Sequence, residues 1–211
     1  MRPLFITFEG MEGSGKSTQV GKLASKLREE KYSIEVVREP GGTRVGELIR
    51  HITHDRENVD LTAVSEVYLM AASRAQLVRE IIRPALDSQK IVIADRFIDS
   101  SLAYQGFGRN LGEEVVTSIN KLALDGVLPI VTVFLDITPE EGFKRRNGTE
   151  KIDRLDLQQS EFYERVYQGY KSLAEKYKER YVVVDGRESI EKVATDIWER
   201  VRGKLQTPNS K

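Results

Sequence analysis

The sequence contains no cysteine, which excludes disulfides, thiolate metal ligands and cysteine nucleophiles. Its only histidines are His51 and His54, too few for a histidine-rich zinc site. No stretch approaches the roughly 18 continuous apolar residues of a membrane span, and the first residues run straight into a strand pattern without a signal peptide's apolar region and cleavage site. Excess charge of one sign is also missing. Lys+Arg 33 balances Asp+Glu 33, which argues against a protein that coats nucleic acid or adheres to anionic membranes. These absences together predict a soluble cytoplasmic protein with neither nucleic-acid nor membrane partners. Pro 6 and Gly 16 are too few for a fibrous or broadly disordered chain.

What is present is a chain of 211 residues, 39% hydrophobic and 31% charged, suited to one domain with a real core and at most a small insert. The expected boundaries are a single domain over 1–203, a polar lid-like segment at about 144–156 around Gly148, and a frayed tail over 204–211.

Short apolar runs alternate with helical periodicity. Strands are predicted at Leu4 to Glu9, Ser33 to Arg38, Ile91 to Ala94, Ile130 to Leu135 and Tyr181 to Val184. Helices are predicted from Ser17 to Glu30, from Thr43 to about Ile52, from a cap at Asp60 or Thr62 through Arg83 up to Pro84, from Leu111 to Leu124, and from Ile190 to Val201. Pro139 stands where a further helix begins, and Phe162, Val166, Tyr170 and Leu173 share one helical face. Strands of continuous apolar character between helices imply an α/β domain, a parallel sheet covered on both faces.

Gly10-Met11-Glu12-Gly13-Ser14-Gly15-Lys16-Ser17 matches the phosphate-binding loop G-x-x-x-x-G-K-[ST], and it lies between the first strand and the first helix, as that motif requires. Glycines let successive backbone N–H groups turn toward phosphate oxygens. The helix N-terminus adds partial positive charge, Lys16 can reach the terminal phosphates and Ser17 can ligate Mg²⁺. GTPases, ATP-driven motors and small-molecule kinases all use this loop. The chain leaves little room for motor modules and holds no N-K-x-D guanine-reading string, which favours a kinase for a small acceptor.

Ligands of open α/β sheets sit beyond the carboxyl ends of the strands. Arg38 and Glu39 follow the second predicted strand. Asp95 and Arg96 follow the third, where Asp95 can hold magnesium or its waters and Arg96 can neutralise a phosphate during transfer. Arg74 interrupts a core-like stripe of Ala71, Ala75 and Val78 and needs a buried carboxylate or a bound anion as partner. Arg145, Arg146, Lys151 and Arg154 cluster in the polar insert, either over a triphosphate or solvating a loop. Tyr104-Gln105-Gly106 with Gly108-Arg109 reads as a flexible turn offering an aromatic plane, an amide and an arginine. His51 and His54 read as surface residues, and Tyr68 and Met70 as packing residues.

The strings FEGMEGSGKST from Phe8, REPGGT from Arg38, AASRAQL from Ala71, DRFIDSSLAYQG from Asp95 and LDITPEEGFKRR from Leu135, in this order, resemble the thymidylate kinase (dTMP kinase) family over most of the chain. The resemblance implies a P-loop nucleoside-triphosphate-hydrolase-like, three-layer α/β/α fold with a five-stranded parallel sheet of order 2-3-1-4-5, and a homodimer. It implies transfer of the ATP γ-phosphoryl group to dTMP, with Mg²⁺, giving dTDP on the route to dTTP. The residues from Gly10 to Thr18 would hold ATP phosphates, with Arg145 and Arg154 bordering a lid over ATP. Glu12 would sit near the acceptor's sugar hydroxyl and the metal waters; Ser17, Glu39 and Asp95 would belong to the magnesium network. Arg38 and Arg96 would contact phosphate, Arg74 would address the thymine edge, and Ser101, Tyr104 and Gln105 would line the acceptor pocket. Catalysis would rest on Lys16, Arg96, Asp95 and Glu12, by geometry and counter-charge rather than a covalent enzyme intermediate.

The resemblance has two departures. Many family members carry phenylalanine four residues before the base-reading arginine, where it stacks on thymine; here Met70 stands there, a thioether without an aromatic face. Asn147 and Thr149 occupy two positions where relatives tend to carry lid arginines, which leaves Arg146 or Lys151 to supply that charge. A kinase for another nucleoside or nucleoside monophosphate, and a nucleotide-binding regulatory or structural subunit, are the alternatives.

Overall fold

The computed structural model describes residues 4–146 and 154–206. Asn147, Gly148, Thr149 and Lys151 of the polar insert lie outside them, as do residues 207–211 of the expected tail.

Strand β1 (Phe5–Gly10) leads into helix α1 (Lys16–Glu29), then β2 (Ile34–Arg38) and α2 (Arg44–His54). Next come α3 (Ala63–Leu77), a π-helical turn at Val78–Ile82, α4 (Arg83–Asp87) and β3 (Ile91–Asp95). Helix α5 (Ile98–Ser101) runs into a π-helix at Leu102–Gly108, followed by α6 (Glu113–Leu124), β4 (Val131–Asp136) and α7 (Pro139–Arg146). A 3₁₀ turn at Leu155–Leu157, α8 (Ser160–Lys176), β5 (Tyr181–Asp185) and α9 (Ile190–Gln206) complete the chain.

The five strands form one parallel sheet of order β2-β3-β1-β4-β5, the implied order. Side chains alternate across it. Leu4, Ile6 and Phe8 of the β1 region join Val20, Leu23 and Leu27 of α1 and Val193, Ile197 and Val201 of α9 in one apolar layer. Phe5, Val92, Ala94 and Phe134 face the other layer, with Phe97, Leu102, Phe162, Val166 and Tyr170.

The helix ends follow local chemistry. Thr43 Oγ1 accepts the Gly46 N–H at 2.9 Å to start α2, and Thr62 Oγ1, not Asp60, accepts the Ser65 N–H at 3.2 Å to start α3. The helical path does not stop at Pro84. Pro84 has no N–H to donate back; the ladder widens just before it, where the Arg83 N–H bonds to Val78 O, and α4 then continues through Asp87. Helix α9 likewise runs to Gln206, so 204–206, expected in the frayed tail, are helical.

The segment from Leu102 to Gly108 is not a flexible turn. It is buried π-helix except at half-buried Phe107, because a Cβ on Gly108 would lie 2.7 Å from both Phe162 and Val166: the glycine serves close packing on α8. Among the described residues no helix is long and apolar enough to cross a membrane.

Candidate active site

The carboxyl ends of β1, β2 and β3 open into a cleft of about 610 Å³. Its floor is the phosphate loop. Gly10, Gly13 and Gly15 take φ values of 143°, 74° and 90°, which side chains with a Cβ adopt only under strain, and this curls the loop around the start of α1. Lys16 Nζ donates to Gly10 O at 3.2 Å, Met11 O at 2.8 Å and Ser14 Oγ at 3.4 Å, so its ammonium closes the loop's ring. Burial, reinforced by the nearby charge of Arg96, pushes Lys16 down to about 7. Gly13, Gly15, Lys16, Ser17 and Thr18 line the cleft, whereas Gly10, Met11 and Ser14 support it from behind.

Ser17 Oγ donates to Asp95 Oδ2 at 2.6 Å, joining α1 to the end of β3. A hydroxyl and a carboxylate are hard oxygen donors, so this pair fits Mg²⁺. Among the described residues no three histidine, aspartate or glutamate side chains converge, and phosphates and water would have to complete such an ion's shell.

Glu39 is placed differently from the metal role implied for it. Its backbone N–H bonds to Asp95 O at 3.0 Å, but its carboxylate turns into the protein, where Oε2 accepts from Arg74 Nε at 3.0 Å and Nη2 at 2.5 Å. Burial raises the Glu39 pKa and Arg74 opposes that rise. The buried carboxylate required by Arg74 is therefore Glu39. Arg74 is itself 2% exposed and also donates to Asn120 Oδ1, Phe97 O at 3.1 Å and Ser101 Oγ at 3.0 Å. Arg74, Glu39, Ser101, Gln105 and half-buried Met70 form the inner wall of the cleft; Tyr68 is exposed on the far side of α3.

Arg96 occupies the centre, with φ 70° in the left-handed region. Its Nη1 donates to Ser100 Oγ at 3.0 Å and Tyr170 OH at 3.1 Å, and its Nη2 to Tyr104 OH at 3.3 Å. Burial pushes Tyr104 up to about 12, against the pull of Arg96, so the phenol stays protonated. Arg38 lines the outer wall and donates to both carboxylate oxygens of Glu47 at 2.8 Å.

The lid arginines separate into different roles. Arg145 lines the cleft and donates to Gly186 O at 2.8 Å. Arg146 also lines it and binds the carboxylates of Glu12 and, at 2.7 Å, Asp156, placing its charge against the phosphate loop. Arg154 does not border the cleft. It is 2% exposed, donates Nε to Thr53 O at 2.8 Å and Nη2 to Glu66, and its N–H bonds to His54 O at 3.1 Å. The cause is Glu66, a fully buried carboxylate that also accepts from Gln105 at 2.7 Å and Arg109 at 3.0 Å. Burial alone would raise its pKa, but these donors hold it below the usual carboxylate value. Arg154 and Leu155 are thus core, although they fall in the segment expected to be polar surface.

Sequence reasoning missed several residues here. His51 is exposed as expected, but His54 lines the cleft with Arg50; their i, i+4 spacing on α2 was the available signal. Burial and the charges of Arg50, Arg96 and Arg154 push the His54 imidazole down to about 4. Ser100 also lines the cleft, and Glu9 and Tyr170 stand behind it. Tyr170 gave no signal beyond an apolar stripe; for Glu9 the signal available but not used was its being the lone charge in its strand.

Comparison with known proteins agrees with this geometry. Residues 8–197 match the family model described as "Thymidylate kinase". The thymidylate kinase of Caldanaerobacter subterraneus subsp. tengcongensis is 50% identical over 90% of this chain and 90% of its own length. That of Thermoanaerobacter sp. strain X514 is 46% identical over 96% of this chain and 98% of its own. The crystal structure of thymidylate kinase from Ehrlichia chaffeensis superposes with a TM-score of 0.78 at 33% identity, covering 96% of this chain and 99% of that one. With a family model spanning nearly the whole described chain and relatives of this identity matched over 90% or more of their lengths, the chain belongs to the thymidylate kinase family.

Proposed function

We propose that this protein transfers the γ-phosphoryl group of ATP to the 5′-phosphate of dTMP, giving dTDP and ADP as a step toward dTTP. The observation that carries the reading is one continuous cleft joining the phosphate loop, Arg96 and the Arg74–Gln105–Met70 wall. A donor triphosphate on the loop and an acceptor nucleotide on the wall would then meet at Arg96.

The acceptor phosphate is already an oxyanion and needs little activation, so the work is to hold two repelling phosphate chains in line. Lys16 and the loop N–H groups grip the donor phosphates. Arg38 and Arg96 hold the acceptor phosphate, and Arg96 faces the charge that develops during transfer. Arg145 and Arg146 close over the donor side; Glu12, held by Arg146, sits beside the acceptor sugar. Ser17 and Asp95 would hold Mg²⁺, which would supply positive charge to neutralise the phosphates. Glu39 acts at the acceptor wall by fixing Arg74, whose guanidinium addresses the base edge while Met70 contacts its face. The reading includes a cytoplasmic setting and a homodimer. Exposed Leu48, Ile52, Val64, Tyr68, Val115 and Leu122 on α2, α3 and α6 support the latter.

The test is ADP release with Mg²⁺-ATP and a panel of dTMP, dUMP, dCMP, AMP, CMP, UMP, GMP and thymidine. A kcat/KM for dTMP at least about a hundredfold above the others is expected. Comparable or better use of another monophosphate would reassign the acceptor, and absence of acceptor-dependent release would favour a regulatory subunit.

A further inference from the structure

Glu9 ends the alternation of β1 on the side of Phe5 and Thr7, and it is 0% exposed. Among the described residues its carboxylate forms no ion pair; uncharged donors surround it. Oε1 accepts the Phe97 N–H at 2.9 Å, and Oε2 accepts from Ser100 Oγ at 2.6 Å and from Tyr170 OH at 3.1 Å. The same two hydroxyls accept from Arg96 Nη1 at 3.0 and 3.1 Å.

The direction of these bonds is forced. A hydroxyl has one proton, and a guanidinium has only donors. Ser100 and Tyr170 can face Arg96 with lone pairs only if their protons point elsewhere; the two hydroxyls lie 2.9 Å apart, so one can donate to the other, but at least one proton must go to Glu9 Oε2. The carboxylate's other oxygen holds the N–H immediately after Arg96, while the Arg96 N–H itself bonds to Phe8 O at 3.0 Å. Side chain and left-handed backbone of Arg96 are thus both tied to the last residues of β1.

We propose that Glu9 is a positioning residue for phosphoryl transfer: through the oriented hydroxyls of Ser100 and Tyr170 it fixes the Arg96 guanidinium where the two phosphates meet. This deepens the kinase reading above and rests on it for its kinetic test, but not for its structural one. Glu9 itself touches no substrate, being sealed behind Ser100 and Tyr170.

Glu9→Gln keeps size and shape but reverses the relay. If the amide oxygen accepts the Phe97 N–H, the NH₂ faces Ser100 and Tyr170 as a donor; one hydroxyl can still donate to the other, but at least one of their protons turns toward Arg96. The expected result is a kcat with ATP and dTMP lower by roughly 30-fold or more, with the ATP KM within about threefold of wild type. The unfolding midpoint should stay within about 5 °C. Glu9→Asp, which restores the charge, should recover part of the lost kcat. A crystal structure of unliganded Glu9→Gln should show Arg96 Nη1 out of hydrogen-bond reach of Ser100 Oγ and Tyr170 OH.

A Gln variant with kcat within about threefold of wild type, or with Arg96 undisturbed in its crystal structure, overturns the proposal. So does an equal loss in the Gln and Asp variants accompanied by a midpoint lowered by more than about 10 °C, which marks a purely structural carboxylate. If the wild type releases no ADP with dTMP, the kinase reading fails, and the crystal structure alone decides whether Glu9 positions Arg96.

Discussion

The two faces of the sheet are built from alternate residues of the same strands, yet one is nearly all hydrocarbon and the other is threaded with charge. Under α1 and α9 lie Ile6, Phe8, Ile91, Ile93, Val131, Val133 and Leu135, with Gln19 bridging to Ile190 O at 3.0 Å. On the opposite face Thr7 Oγ1 lies 3.0 Å from Thr132 Oγ1. Asp99 pairs with Arg180 at 2.7 Å, Glu39 with Arg74, and Glu66 with Arg109 and Arg154. Each buried aliphatic side chain on the first face stabilises the fold by about 1.5–3 kcal/mol, whereas a buried ion pair is often no better than a well-packed apolar substitute. The first face therefore holds the domain together. The second carries the buried charge, including the Glu39–Arg74 pair of the cleft wall, at a cost in stability that the first offsets.

Five substitutions and a pH series with a sixth can break or sharpen that division. Arg96→Ala should lower kcat roughly a thousandfold without loss of fold, checked by steady-state kinetics and circular dichroism. Arg74→Met leaves Glu39 buried without its cation and should destabilise by about 3–5 kcal/mol in urea unfolding. Adding Glu39→Gln should recover much of that loss, and no recovery would show that the pair is not the cause. On the hydrocarbon face Leu27→Ala should cost about 2–4 kcal/mol. Kinetics of that folded variant should match wild type, and a fall in its kcat would erase the distinction between the faces.

Met70→Phe should lower the dTMP KM by about twofold to fivefold by giving the base an aromatic face; an unchanged or higher value would mean that the base is held otherwise. The smallest effect concerns His54. Its pKa is about 4 when folded against 6.5 ordinarily, so the unfolded chain binds more protons between those values, and His54 weakens the fold as pH falls from 6.5 toward 4. Glu9, raised to about 7 by burial and the charge of Asp99, works with the opposite sign between 4.5 and 7. Comparing melting temperatures of wild type and His54→Gln isolates the histidine, and the variant should lose less stability on acidification.

What could be read from the chain was mostly local. The phosphate loop is defined by glycines and Lys16 within eight positions, and Thr43 and Thr62 announce their helices three residues ahead of the N–H groups they cap. Long-range pairing was not legible. Arg154 sits in a charge-rich run, the pattern of a solvated loop, and nothing near it reveals that Glu66, 88 positions away, is buried and needs it. Arg74 did announce a need for a partner, because it interrupts an apolar stripe, but not that Glu39 would turn from the magnesium side to supply it. Gly106 and Gly108 were misleading for another reason. Glycine marks close approach as well as flexibility, and composition does not separate the two.

One contact shapes how this sequence can drift. A Cβ on Gly13 would lie 2.3 Å from Gly142 O, and a Cβ on Gly142 would lie 2.2 Å from Glu12 O, so the phosphate loop and α7 meet backbone to backbone. A single methyl group at either position separates them, and replacing one glycine does not make room at the other. The pair is thus a mutational dead end from both directions: each glycine preserves its partner, and no single replacement opens a path past them.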